Sequence, residues 1–217
     1  MSNHAQGQRA RLAELLTAAG PDSPTLCGGW LTRDLAAHLV MREARPDAAA
    51  GIVLPALAGH TERVQARYAA LPYEELLRRF REGPPRWSAF ALPGADEAAN
   101  VVEYFVHAED VRRASGAPAE PLPLDPALGE LLWQRLRLTV RMELNRRTPV
   151  RLVLSLPDGR NVVAGQKLVG TVRVVGEPGE LLLFAFGRGA RARVAVSGPQ
   201  DEVALLRGTV GLPAVSP

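Results

Sequence analysis

The sequence predicts an α+β protein in which a helical bundle precedes a small α+β domain. Two observations carry this. Up to about residue 147 the apolar residues recur at helical spacing, with Pro and Gly clusters between the runs. From Val150 onward the pattern changes to short β-branched runs separated by turn residues. Such segregation of helices and strands implies separate domains or an α+β arrangement. A chain of 217 residues is long enough for two modest domains, placed at 1–147 and 148–217.

The elements follow in order. Residues 5–19 set Leu12, Leu15 and Leu16 on one helical face, and Gly20-Pro21 ends that helix. A loop rich in Pro and Gly leads to a helix from about Leu31 to Arg45, stopped before Pro46. Residues 56–70 and 73–82 read as two further helices, Arg alternating with Glu on their solvated faces. Asp96 is the expected N-cap of a long helix ending near Ser115. Asp125-Pro126 opens another, with Asp as cap and Pro in the first turn, running to about Asn145. Strands are expected at 150–156, 161–164, 171–175 and 193–197, the first two joined by the turn Pro157-Asp158-Gly159. Residues 180–186 favour a short helix between Pro178 and Gly187, and 201–206 look helical.

Composition excludes several functional classes. With 47% hydrophobic and 23% charged residues the chain is globular, and 5% aromatic residues leave the core to Leu, Val and Ala. The net charge is +3, supplied almost wholly by arginine. No dense basic stripe with interleaved aromatics occurs, which argues against nucleic acid as a partner. No apolar run approaches the roughly 18 residues of a membrane span. The polar start lacks the apolar core of a signal peptide, and one cysteine, Cys27, cannot build a disulfide framework. A soluble, cytoplasmic protein is expected.

The residues that carry chemistry are few. Glu103 and His107 stand four apart on a predicted helix, so their side chains share one face. Ala98, Ala99, Val101, Val102, Phe105 and Val106 are expected to form its apolar arc, with Glu103, His107 and Asp110 along one edge. A buried carboxylate needs a partner, and a metal ion is one such partner. Alone, a Glu-x-x-x-His pair is more often a surface pair or a core histidine. The chain has only four histidines, however, and His38 sits in the apolar helix LAAHLV where its stripe turns polar. Asp110, one turn beyond His107, reads equally as a group that orients a ligand imidazole or contacts substrate, and as a salt-bridge partner of Arg113 or Arg42. Arg42 and Arg45 share the His38 face and are candidate clamps for a substrate carboxylate, or plain solvated arginines. Cys27 reads as a buried thiol or a redox-sensitive one near the site. Trp30 reads as a packing anchor, and His60 as a surface residue without a partner.

The segment Gly29-Trp30-Leu31-Thr32-Arg33-Asp34-Leu35-Ala36-Ala37-His38-Leu39-Val40 resembles the signature of the DinB-like metal-binding bundles. In particular it is similar to their actinobacterial branch, typified by mycothiol-dependent maleylpyruvate isomerase. In that branch a Trp–Thr–x–x–Asp–x–x–x–His–Leu segment starts the second helix and supplies the first metal ligand. A later Glu-x-x-x-His supplies the other two. Both patterns occur here in that order, roughly 65 residues apart. The string from Glu103 through His107, Asp110 and Arg113 resembles an uncharacterised actinobacterial subfamily of metal-binding proteins, and the C-terminal segment resembles a sterol-carrier-like domain. The resemblance implies a DinB-like four-helix bundle, His38, Glu103 and His107 as metal ligands, and a thiol cofactor such as mycothiol. One departure is that Leu31 stands where the family has Thr, leaving Thr32 to cap the helix one residue later.

Two His and one Glu with a free position compose a catalytic zinc site, and imidazoles disfavour Mg²⁺ and Ca²⁺. Two functions follow. In one, which the resemblance implies, zinc activates mycothiol for attack on a small electrophile, as a thiol transferase or isomerase, the catalytic residues themselves being unassigned. In the other, the protein is a non-catalytic metal- or ligand-binding module with a structural or vestigial metal.

Overall fold

The computed structural model describes residues 4–49, 51, 54–92, 94–115, 119–165 and 170–212. It is α+β, with ten helices and a four-stranded sheet among the described residues. The chain divides into two compact units, Met1–Ala117 and Pro118–Pro217. The boundary expected near Thr148 thus falls inside the second unit.

The first unit holds α1 (His4–Ala19), α2 (Thr32–Ala44), α3 (Pro46–Ala49), α4 (Ala58–Ala69), α5 (Tyr73–Glu82) and α6 (Ala95–Arg112). Helix α1 lies along α6, α5 packs on both α1 and α2, and α4 covers α2. Leu12, Leu16, Leu35, Leu39, Leu76, Phe80, Val101 and Phe105 are buried where these faces meet. Full burial of side chains of this size stabilises each by about 1.5–3 kcal/mol. A satellite core of Met41, Ala48 and Val64, with Tyr68 against it, fixes α3 and α4 to α2.

Two helix starts differ from expectation. Helix α6 begins at Ala95, and its cap residue is Gly94, whose φ of 76° admits the chain into the helix two residues early. Asp96 therefore sits in the first turn, bonded by Asn100 Nδ2 at 2.6 Å. Helix α2 has Leu31 as its cap residue, with no side-chain cap bond. The Thr32 hydroxyl donates instead to the Gly20 carbonyl, and the Asp34 carboxylate accepts from the Leu31 N–H at 3.0 Å. The buried face of α6 is also displaced: Ala98 and Ala99 are exposed, while Asn100, Tyr104 and Ala108 are buried.

A polar cluster is built into this helical core. The Arg9 guanidinium donates to Glu43 Oε2 and to the Phe80 carbonyl, each at 2.9 Å, and to the Tyr104 hydroxyl. Tyr104 donates on to Glu43 Oε1 at 2.6 Å. One side chain thereby joins α1, α2, α5 and α6. A second cluster gathers Arg11, Arg112 and Arg113 around the buried Glu109 carboxylate. Burial opposes that charge, but hydrogen bonds from Arg112, Arg113 and Arg11 outweigh it and hold the carboxyl below its ordinary range.

The second unit begins with α7 (Pro126–Thr139), continued by a wider turn over Val140–Leu144 into α8 (Asn145–Arg147). Asp125 caps α7, its carboxylate accepting from the Leu128 N–H at 3.3 Å. Strands β1 (Arg151–Ser155), β2 (Asn161–Ala164), β3 (Thr171–Val175) and β4 (Ala195–Ser197) form one sheet in the order β2-β1-β3-β4. Strand β1 pairs antiparallel with β2 and parallel with β3, and β3 pairs antiparallel with β4. The β1–β2 turn is the expected one: Gly159 has φ 91° and Asp158 Oδ1 accepts from the Arg160 N–H at 2.9 Å. Helix α9 (Pro178–Leu183) packs on α7, and α10 (Gln200–Val210) follows β4. That α7–α9 packing places α7 in the second unit. No helix among the described residues is long and apolar enough to cross a membrane.

Two outcomes follow from the buried clusters. Glu43→Ala strands the Arg9 charge and should cost about 3 kcal/mol, read as a lower denaturant midpoint. A lowered folded pKa makes the Glu109 contribution complete above the ordinary carboxylate range and lost as pH falls through the lowered value. Glu109→Gln should therefore be less stable than wild type at neutral pH and show a flatter acid-side loss, measured by urea unfolding across that range.

Candidate metal centre

Helix α2 carries His38, and α6 carries Glu103 and His107 on successive turns. A loop over residues 20–31 sets the start of α2. Trp30 N–H donates to the Cys27 carbonyl at 2.7 Å, and Thr25 Oγ1 donates to the Trp30 carbonyl at 2.8 Å. Gly29 turns this loop with φ 82°. The Leu26 N–H bonds the Asp110 carbonyl at 3.1 Å, which fastens the loop to α6. The Trp30 ring then rests against the His38 ring, centroids 5.2 Å apart.

The three side chains converge. Glu103 Oε1 lies 3.3 Å from His38 Nε2 and 3.2 Å from His107 Nε2. The imidazoles meet edge to face, with centroids 5.7 Å apart, and the three donor atoms all lie within 4.8 Å of one another. Ligands held tetrahedrally at ~2.0–2.1 Å from zinc are about 3.3–3.4 Å apart. The two nitrogen–oxygen separations match that edge, so the donor set fits a borderline divalent cation in both type and spacing. The imidazoles are nearly buried and the Glu103 side chain is 26% exposed, so the cluster opens on the carboxylate side.

The surroundings orient and charge this set. His107 Nδ1 donates to Asp110 Oδ2 at 2.9 Å, and the Asp110 side chain is fully buried. A carboxylate on Nδ1 fixes the tautomer that presents Nε2 to a cation. Burial disfavours the His107 charge, yet bonds to Asp110, Cys27 and Glu103 hold the imidazolium well above its ordinary pKa. Burial likewise opposes the Glu103 charge, and bonds from His107 and His38 carry its carboxyl well below the usual range. Metal-free, the site is thus a charge-paired His–Glu cluster poised to exchange protons for a cation.

The other expected residues divide. Arg42 is at the site: its Nε lies 3.7 Å from Glu103 Oε1, its guanidinium covers the Phe90 ring at 4.9 Å, and it donates to Asn100 Oδ1. Arg45 is elsewhere. It forms an exposed pair with Asp47 at 2.7 Å, because the chain leaves the helix there and Asp47 lies only two residues away. His60 is not partnerless: its Nε2 lies 3.0 Å from Asp47 Oδ2. Asn100 and Phe90 escaped sequence reading. Asn100, one turn before Glu103, was detectable by helical spacing; Phe90 sits in a single 3₁₀ turn, Ala89–Ala91, too short to leave such a signal.

Residues 3–114 match the family model of the mycothiol maleylpyruvate isomerase N-terminal domain. The fold is similar to the crystal structure of a His→Ala mutant of the mycothiol-dependent maleylpyruvate isomerase, with a TM-score of 0.62 and 17% identity over 89% of this chain and 90% of that one. It is also similar to another crystal structure of the mycothiol-dependent maleylpyruvate isomerase, with a TM-score of 0.54 and 16% identity over the same shares. No curated protein matches the sequence. With half the chain under one family model, the protein belongs to the mycothiol maleylpyruvate isomerase N-terminal domain family.

Proposed function

We propose that this protein is a metal-dependent thiol transferase or isomerase that uses mycothiol, with His38, Glu103 and His107 holding a zinc ion. The observation that carries the reading is the convergence of His38 Nε2, Glu103 Oε1 and His107 Nε2 within 4.8 Å of one another. Three such donors leave one position of a tetrahedral site for an exchangeable ligand. Bound there, zinc supplies Lewis acidity that lowers the pKa of a coordinated thiol, so that the nucleophile exists at neutral pH.

The residues of this chain do the rest. Asp110 keeps the proton on Nδ1 of His107 and the ring aimed at the cation. Trp30 packs against His38 and limits the rotation of that imidazole. Glu103 contributes the negative charge that offsets the cation. Arg42 stands beside Glu103 and is the group we assign to a carboxylate on the electrophile, being 84% buried along its side chain and already steered by Asn100 and Phe90. We assign α1, α2, α5 and α6 as a DinB-like four-helix bundle and the second unit as a sterol-carrier-like domain. A chain with a single cysteine, which cannot form a disulfide within itself, fits a cytoplasmic location.

His38→Ala should lower zinc affinity by more than about tenfold while leaving the circular dichroism spectrum unchanged. Unchanged affinity in a competition titration with a chelator would remove His38 from the site. Calorimetric titration of the zinc-loaded chain with several low-molecular-weight thiols should give a binding isotherm for mycothiol in preference to the others. Equal or absent binding of all of them would reject the thiol cofactor while leaving the metal site standing.

A further inference from the structure

The imidazole of His107 has a second nitrogen, and that nitrogen has its own set of donors. Cys27 Sγ lies 3.0 Å from Asp110 Oδ2 and 3.6 Å from His107 Nδ1, and Nδ1 lies 2.9 Å from the same Asp110 oxygen. These three donor atoms, like those of the first cluster, all fall within 4.8 Å of one another. The two clusters use opposite edges of one ring.

The geometry points to a second cation site, formed by the thiolate of Cys27, Nδ1 of His107 and the carboxylate of Asp110, for a thiophilic divalent ion. A sulfur at ~2.3 Å and a nitrogen at ~2.0–2.1 Å from a tetrahedral zinc stand about 3.6 Å apart. The Cys27–His107 separation of 3.6 Å equals that edge. The two contacts to Asp110 are shorter than the edges a metal would impose, as expected while each still holds a proton. Loading the site forms a metal–sulfur, a metal–nitrogen and a metal–oxygen bond. It releases the Cys27 thiol proton and the Nδ1 proton of His107, both to solvent.

The donors are held in place from outside the cluster. Cys27 N–H donates to Thr25 Oγ1 at 3.1 Å, and its carbonyl accepts from Trp30 at 2.7 Å. Leu26 is bonded to the backbone of Asp110 itself, so the loop cannot swing the thiol away without breaking that bond. Cys27 is only half-buried, which leaves a path for an entering ion. A thiolate, an imidazole nitrogen and a carboxylate select Zn²⁺, Cd²⁺ or Co²⁺ over Mg²⁺ or Ca²⁺. The site shares His107 with the centre proposed above but does not require that centre to be filled.

Cobalt reports the two sites separately, because only a thiolate ligand gives a sulfur-to-cobalt charge-transfer band in the near ultraviolet. Titrating Co²⁺ into the full-length chain, stripped of metal, should produce that band, with about two equivalents bound at saturation. Cys27→Ser should abolish the band and leave the visible cobalt absorption of the His38–Glu103–His107 set. His38→Ala should keep the band and weaken the visible absorption of the first site. Loss of visible absorption in Cys27→Ser would count against the first centre instead, so the two failures are distinguishable. Absence of the charge-transfer band in wild type, or its persistence in Cys27→Ser, would overturn the second site. Should Cys27→Ser fail to fold, alkylation of wild-type Cys27 by iodoacetamide decides: Cd²⁺ should slow it by about tenfold or more, and an unchanged rate would refute the site.

Discussion

The Asp110 carboxylate and its own backbone carbonyl act in two directions at once. The side chain receives the Nδ1 proton of His107 and the thiol of Cys27, and the carbonyl receives the amide of Leu26. Loop and helix are thereby joined at one residue, and the loop in turn sets Trp30 against His38. The two halves of the three-residue cluster come from helices far apart in the chain. Their relative placement is fixed through this residue as well as through the apolar packing of α2, α5 and α1. A buried carboxylate without such partners would face a desolvation cost of several kcal/mol.

The helical unit also uses charge as a structural element away from the cluster. Arg9 and Glu43 face each other with almost no solvent, and Tyr104 completes the network from α6. Buried pairs of this kind contribute little net stability relative to apolar residues of the same volume, because desolvation offsets the attraction. Their value is directional. Arg9 must reach Glu43, Phe80 and Tyr104 together, and only one registration of α1, α2, α5 and α6 allows it. Apolar side chains alone, mostly Leu, Val and Ala, would tolerate slippage of a turn.

Much of this was legible in the sequence. The Gly-Pro stop at the end of α1, the Asp125-Pro126 start of α7 and the Pro-Asp-Gly turn between β1 and β2 are local chemistry, and each is found where the residues put it. Helical spacing put Glu103 and His107 on one face, and the meeting of His38 with them was readable from the family resemblance. What escaped was set by tertiary contacts. Gly94 moved the start of α6 because a left-handed residue can enter a helix earlier than an Asp cap would. Periodicity assigns Ala98 and Ala99 to the core, but α1 covers the neighbouring face, where Asn100 and Tyr104 satisfy their polar atoms on Arg42, Asp96 and Glu43. Arg45 shares a helical face with His38 only in an unbroken helix, and the chain leaves α2 at that residue. The unit boundary moved because α7 found its packing partner, α9, some fifty residues later.

Glu109 and Asp110 are consecutive, yet one faces three arginines and the other faces an imidazole and a thiol. Neighbouring positions on a helix differ by about 100° around its axis, so each carboxylate reads a different wall. Between Glu103 and Asp110 the helix therefore has no freedom in length. A residue inserted between His107 and Glu109 would turn everything after it by the same angle and send the arginine-bound acid toward the imidazole, while a deletion there would send the imidazole's acid toward Arg11. Length variation among relatives should accordingly collect in the connection between α5 and α6, where added chain shifts no side chain around an axis, and should be missing from the turns that carry the acids.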